Sequence, residues 1–155
     1  MIECTLLLLI KGDEILLAMK KRGFGSDRWN GVGGKIEPDE TIEQALVREC
    51  QEEIEVIPTR FDKVAVIDFE FPPGVTDKQT MHVYLCTEWQ GEPAETEEMA
   101  PKWFKTSEIP YDDMWQDDIV WLPLVLRDKK MHGHFTFDHN ETMLAAEFTL
   151  VDKVR

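Results

Sequence analysis

The chain of 155 residues is poor in positive charge: 17 lysines and arginines stand against 31 aspartates and glutamates, a formal net charge of −14. That shortage argues against a partner held by a broad basic surface, such as duplex nucleic acid or an anionic membrane. A small phosphorylated ligand is still compatible, because a bound divalent cation reverses the local sign of an acidic pocket. Cysteine is scarce too. Cys4, Cys50 and Cys86 form no C-x-x-C pair and are odd in number, so neither a disulfide framework nor a thiolate zinc site is expected, and a reducing, cytoplasmic compartment is the simplest one. Long apolar runs are missing. The stretch from Leu6 to Ile10 is short and follows Glu3 with no basic segment before it, which predicts a buried strand rather than a signal peptide or a membrane span. There are no internal repeats, low-complexity tracts or linkers, so residues 1–155 are expected to form a single domain, and a monomer.

What is present is apolar patterning broken by clear turn signals. Residues 4–10 and 14–19 flank Lys11-Gly12-Asp13 and predict a hairpin. Residues 20–34 mix basic side chains with five glycines and predict a loop that can approach a ligand closely, with a short strand near 31–35. Thr41 and Gln44 have capping-box spacing, and Ile42, Ala45 and Leu46 begin a helical stripe that runs to Ile54, with Pro58 barring continuation. Strands are expected at 63–71 and 81–87 around Pro72-Pro73-Gly74, with a shorter one at 102–105. A helix at 119–126 and a final strand pair at 132–137 and 143–151 complete the pattern.

The first helix carries an anomaly. Glu49, Glu52 and Glu53 are three and four residues apart, so they converge, and each like-charged pair at that spacing is unfavourable by about 0.2–0.5 kcal/mol. They also occupy the C-terminal half, where the helix dipole disfavours negative charge. At 100 degrees per residue, Glu49 and Glu53 continue the line of Ile42, Ala45 and Leu46, the face that looks inward. A merely solvated set would point outward. Carboxylates held this way need a cation, which Arg48 alone cannot supply, and hard oxygen donors select magnesium or manganese. Magnesium is commonly shared between carboxylates and substrate phosphates, so the pattern points to phosphate chemistry.

Gly34, Glu40, Arg48, Glu49, Glu52 and Glu53, with Val56 in the last position, stand at the spacings of G-x5-E-x7-R-E-U-x-E-E-x-G-U, where U is apolar. The stretch therefore resembles the Nudix box. The resemblance implies an α/β/α sandwich around a mixed sheet, and hydrolysis of a nucleoside diphosphate linked to another group. One position departs from the pattern: Glu55 occupies the place of the second glycine, which normally supplies a left-handed helix end.

The similarity extends beyond the box. "MKKRGFGSDRWNGVGGK", "EEMAPKWF" and "MWQDDIVWLPLVLRDKKMHGHFTF" resemble the Nudix subgroup that hydrolyses 8-oxo-dGTP. That likeness implies that Asn30, Asp117 and Asp118 read a purine edge, that Trp115 and Phe24 sandwich or wall the base, and that Phe69 and Thr5 line the pocket. Lys20 would lie near the phosphates. Glu49, Glu52, Glu53, Glu98 and the Gly33 carbonyl would hold Mg2+, or Mn2+ in its place. Arg48 would fix the carboxylates, Glu53 or Glu52 would activate water, and Glu40 would brace the junction of loop and helix. The expected partner is a small nucleotide, and breadth across oxidised and methylated purines is expected because one of two adjacent buried aspartates can stay protonated and donate. Taken singly these residues have plainer readings. Asp117 and Asp118 suit a helix start, Trp115 a core, and Asn30 a turn. His132 and His134 share a strand face but lack further ligands for a metal. Competing activities are hydrolysis of ADP-ribose, dinucleoside polyphosphates or capped RNA, or nucleotide binding with catalysis lost.

Overall fold

The computed structural model describes residues 1–155. Strand β1 (Ile2–Lys11) turns at Gly12, where φ is +61°, into β2 (Glu14–Lys20). There follow β3 (Trp29–Asn30), helix α1 (Ile42–Ile54), β4 (Ile57–Glu70), β5 (Gln79–Gln90) and β6 (Met99–Lys105). Two short 3-10 turns, Thr106–Glu108 and Tyr111–Asp113, lead into α2 (Asp118–Leu126), and β7 (Lys130–Phe137) and β8 (Met143–Val151) end the order.

The strands form one mixed sheet in the order β3-β2-β1-β5-β4-β7-β8, with β6 also paired to β2. β1 runs parallel to β5 and β4 parallel to β7, while the other pairings are antiparallel. Alternation along β1 splits the core in two. Leu6 and Leu8 pack with Trp121, Leu122 and Val125 of α2, whereas Leu7 and Leu9 pack with Leu46, Cys50 and Ile54 of α1. The sheet thus lies between the two helices, as the motif implied. β4 begins at Ile57, six residues before the expected start, because its first turn runs through register shifts at Pro58 and Arg60 that tolerate a proline.

The feature that positions the site is a split in the first hairpin. β1 and β2 pair only next to their turn, at Leu9↔Leu16, Ile10↔Ile15 and Lys11↔Glu14. Residues 29–35 enter the gap beyond. Trp29 and Asn30 pair with Met19 and Ala18 of β2, while Val32 and Lys35 bridge to Leu7 and Cys4 of β1. The Leu7 amide donates to the Val32 carbonyl at 2.6 Å, and the Thr5 amide donates to that of Gly34 at 2.9 Å. A Cβ at Gly31 would lie 2.8 Å from the Leu7 carbonyl oxygen, one at Gly33 would overlap the Thr5 carbonyl oxygen, and one at Gly34 would lie 2.5 Å from the Glu49 carboxyl carbon. None of these three glycines has positive φ, so each is needed for space rather than for conformation. The strand expected near 31–35 is instead the two-residue β3 followed by isolated bridges, since the segment changes partner from β2 to β1 midway.

Helix α1 starts on a reciprocal cap. The Gln44 amide donates to Thr41 Oγ1 at 3.1 Å and the Thr41 amide to Gln44 Oε1 at 2.9 Å. It ends on Glu55 at φ 61° and ψ 34°, left-handed despite the missing glycine, with the Glu55 amide donating to the Gln51 carbonyl. Two contacts anchor this end. The Ala94 amide donates to the Ile54 carbonyl at 3.0 Å, and the Thr96 hydroxyl donates to that of Glu53 at 2.8 Å, satisfying acceptors that the last turn leaves free. Relief of left-handed strain by Glu55→Gly should raise unfolding stability by about 0.5–1 kcal/mol, net of the extra freedom of the unfolded chain. Urea denaturation measures it, and a destabilised variant would show that Glu55 contributes more than backbone geometry.

Candidate active site

A cavity of about 540 Å³ opens where β1 and β2 part. Thr5, Lys20, Phe24, Asn30, Gly33, Glu49, Glu53, Phe69, Glu98, Trp115, Asp117 and Asp118 all line it. Of the residues given a role from the sequence, Glu40, Arg48 and Glu52 lie outside the lining. The cavity is bounded by α1 from one face of the sheet and by the start of α2 from the other.

At the α1 end, Arg48 is the hub. Its guanidinium grips Glu40 through Nε at 2.6 Å and Nη2 at 2.8 Å, donates from Nη1 to Glu49 at 3.0 Å and Glu52 at 3.3 Å, and reaches the Lys35 carbonyl at 3.1 Å. These charge-assisted bonds tie the glycine loop to the helix. The Arg48 hydrogen bond, chiefly, holds the Glu40 carboxyl down at about 2. Glu53 has the opposite environment. It is 2% exposed, and burial first, then the charge of Glu49 and a hydrogen bond shared with Glu49, push its pKa up to about 9. The Gly33 amide donates to Glu53 Oε1 at 3.1 Å, whereas the Gly33 carbonyl accepts no hydrogen bond. Glu52 is turned away, its side chain 53% exposed, one helical step from the inward face that Glu49 and Glu53 share.

Glu52, the remaining carboxylate expected to hold a cation, lies outside the lining of the cavity. The donors that do meet in the cavity still fit a hard divalent cation. Glu49, Glu53 and Glu98 line it with the Gly33 carbonyl, and Glu53 is kept from ionising first by burial and then by the like charge of Glu49, which a cation would offset.

At the α2 end, Asp117 and Asp118 are both buried. Neither caps the helix: Asp117 makes no side-chain cap, and its Oδ2 accepts from the Trp121 indole N–H at 2.7 Å. Burial raises the pKa of Asp117 against the pull of that hydrogen bond, and burial plus the charge of Asp117 raises Asp118 well above the ordinary aspartate value. Asp118 Oδ2 and Thr5 Oγ1 are buried without partners, although both residues line the cavity. Leaving a buried polar atom unsatisfied costs about 1–3 kcal/mol, so such a pair facing a cavity marks a place built for a ligand's polar edge. Asn30 meanwhile turns its Oδ1 to the Gly31 amide at 2.9 Å.

The aromatic wall differs from one of the two arrangements expected. Phe24 and Trp115 stack on each other with centroids 5.3 Å apart, so no base lies between them, which would require roughly 7 Å. They form a single wall, continued by Phe71 and Phe137. Lys20 Nζ donates to the Phe24 carbonyl at 3.0 Å and thereby fixes this loop. Phe71, Phe137 and Arg28 also line the cavity and were not foreseen. Phe71 stands two positions after Phe69, just past the end of β4, a spacing that could have signalled it, but nothing local distinguishes Arg28 from a surface cation.

A model of the NUDIX domain matches residues 4–125 of the chain. The chain belongs to the Nudix family. Among Nudix relatives, the oxidized purine nucleoside triphosphate hydrolase of Danio rerio is 44% identical over 140 residues, 90% of this chain and 89% of that protein. The Mus musculus protein of the same name is 43% identical, over 96% of this chain and 94% of its own. The crystal structure of a mutator MutT protein from Bacillus halodurans superposes with a TM-score of 0.85 at 23% identity, covering 96% of this chain and 97% of that one, which establishes the shared Nudix fold. Nudix enzymes generally depend on divalent metal.

The raised pKa of Asp118 has a definite sign in stability. Its contribution is full below the ordinary aspartate value of 3.8 and is lost as pH rises through the folded value. Asp118→Asn, which cannot ionise, should therefore flatten the fall in Tm that sets in as pH rises above the ordinary value of 3.8, removing up to ~1.4 kcal/mol per pH unit across that titration. The slopes owed to Asp117 and Glu53 remain in the variant. Parallel Tm profiles for the two proteins would contradict the assignment.

Proposed function

We propose that this chain hydrolyses oxidised purine nucleoside triphosphates to the monophosphate and pyrophosphate. 8-oxo-dGTP is the leading substrate, with 2-hydroxy-dATP and methylated purine nucleotides as further ones, and Mg2+ is the cation, with Mn2+ able to replace it. The observation that carries this reading is the buried Asp117–Asp118 pair with its unpartnered Oδ2, in the same cavity as Glu49 and Glu53. The names of the Danio and Mus relatives, which match over nearly the whole chain, support it.

In this reading a purine lies against the Trp115 and Phe24 wall with its edge toward Asn30, Asp117 and Asp118. Because the two aspartates cannot both ionise cheaply, the pair offers a donor beside an acceptor, which suits purines whose edge has been altered by oxidation or methylation. Thr5 and Phe69 close the floor, and Lys20 stands on the phosphate side. Glu49, Glu53, Glu98 and the Gly33 carbonyl would hold the cation, which when bound neutralises phosphate charge and polarises the reacting phosphoryl group. Arg48 keeps Glu49 and Glu52 in place and Glu40 locks Arg48. Water attacks the β-phosphorus, and Glu53 and Glu52 are the groups nearest in role to a base for its proton.

Pyrophosphate release should favour 8-oxo-dGTP over dGTP and ADP-ribose and should require added Mg2+. Glu53→Gln should lower kcat by about 10²–10⁴ without loss of fold, as expected for removal of a general base or its equivalent, and Glu52→Gln tests the second candidate. Mg2+ should also raise the Tm of the wild type, and raise it less in Glu53→Gln. A preference for ADP-ribose, or full turnover in both variants, would sink this reading.

A further inference from the structure

The indole of Trp115 is held from a distance. The Arg28 guanidinium lies over its ring, with Cζ 4.1 Å from the centroid. Arg28 Nη1 in turn donates to Glu141 Oε2 at 2.6 Å, and both side chains are largely shielded, 28% and 33% exposed. Glu141 belongs to the turn between β7 and β8, outside the cavity lining.

That turn is braced to aim the carboxylate. Asp138 Oδ1 accepts from the Asn140 amide at 2.8 Å and the Thr142 amide at 2.9 Å, and the Asp138 amide donates to the Thr142 carbonyl at 2.9 Å. Glu141 itself sits at φ +62°, a left-handed conformation rarely adopted by residues with side chains. A second tie joins the same region to the tryptophan: the Met143 amide donates to Gln116 Oε1 at 2.7 Å, one residue from Trp115. The wall of the cavity and a hairpin remote from it in sequence are thus linked twice.

We propose that Glu141 and Arg28 are positioning residues for base recognition, acting through Trp115. This rests on the function proposed above for the cavity. A tryptophan already immobilised by a cation over its ring loses little side-chain freedom when a base packs on the wall; released, it must be ordered anew at each binding event. The β7–β8 turn therefore sets affinity for the base while leaving the acidic end of the cavity untouched. Glu141 keeps the guanidinium over the ring rather than in solvent, and its charge, more than its volume, is what Arg28 requires.

The test compares Glu141→Ala, Glu141→Asp and Arg28→Met with the wild type, each checked for an unchanged far-UV spectrum. Glu141→Ala and Arg28→Met should raise KM for 8-oxo-dGTP roughly two- to tenfold with kcat nearly unchanged, the range expected for ordering one large side chain anew. Glu141→Asp, which keeps the charge, should recover most of the loss. An unchanged KM in Glu141→Ala, or a fall confined to kcat, overturns the proposal. A nucleotide-free measurement separates it from the substrate reading. Acrylamide quenching of the Trp115 fluorescence, isolated by difference against Trp115→Phe in each background, should increase in Glu141→Ala and return toward the wild-type value in Glu141→Asp. If the wild type does not hydrolyse 8-oxo-dGTP, the functional reading fails, and this quenching decides the positioning role alone: increased quenching supports it and equal quenching overturns it.

Discussion

The bare backbone of residues 31–34 lies directly on β1 and on the carboxylate of Glu49, and the site depends on that contact. Side chains at Gly31 and Gly33 would collide with the backbone of β1, so the loop would have to lift out of the split hairpin. Lifting it would remove the Gly33 amide from Glu53 and the Lys35 carbonyl from Arg48 at once. Interiors are packed too tightly for such a displacement to be absorbed locally. Strand, loop and helix are therefore one unit, and the split between β1 and β2 is the opening of the cavity as well as the seat of the loop.

The same unit drives neighbouring carboxylates in opposite directions. Glu40 accepts two bonds from Arg48 and is held ionised, while Glu53, in the last turn of α1 and without any cationic partner, is pushed toward its neutral form. Arg48 serves Glu40, Glu49 and Glu52 but does not reach Glu53, so the charge deficit of the helix is concentrated at the one buried carboxylate. Environment rather than residue type distinguishes Glu40 from Glu53.

Much of this was legible because it is local. The Thr41 and Gln44 pair, the stripe through Ile54 and the inward line of Glu53 follow from helical period alone, and the hairpin at Gly12 from its flanking apolar runs. Motif spacing placed Glu49 and Glu53, the wider resemblance placed Asp117 and Asp118, and the cavity collects all four. What escaped is set by long-range packing. Nothing near Phe24 announces that it rests on Trp115 rather than apart from it, and Arg28 meets Glu141 across 113 positions of sequence. Glu52 obeys the motif yet turns outward, because a helix step of 100 degrees separates it from Glu53. Glu55 is left-handed as a glycine would be, held by the contacts of Ala94 and Thr96 to the turn before it, neither of which the motif contains.

The division of the interior into two cores has a consequence for how such a protein can change. The acids around Arg48 are carried by a helix rooted in one core, and the aspartate pair by a helix rooted in the other, with the sheet between them. Substitutions without shared neighbours combine nearly independently in their energetic effects. Repacking beneath α2 can shift the aspartates and the aromatic wall while the glycine loop and Glu53 keep their places. One end of the cavity is therefore free to change shape through its own core while the other keeps its geometry.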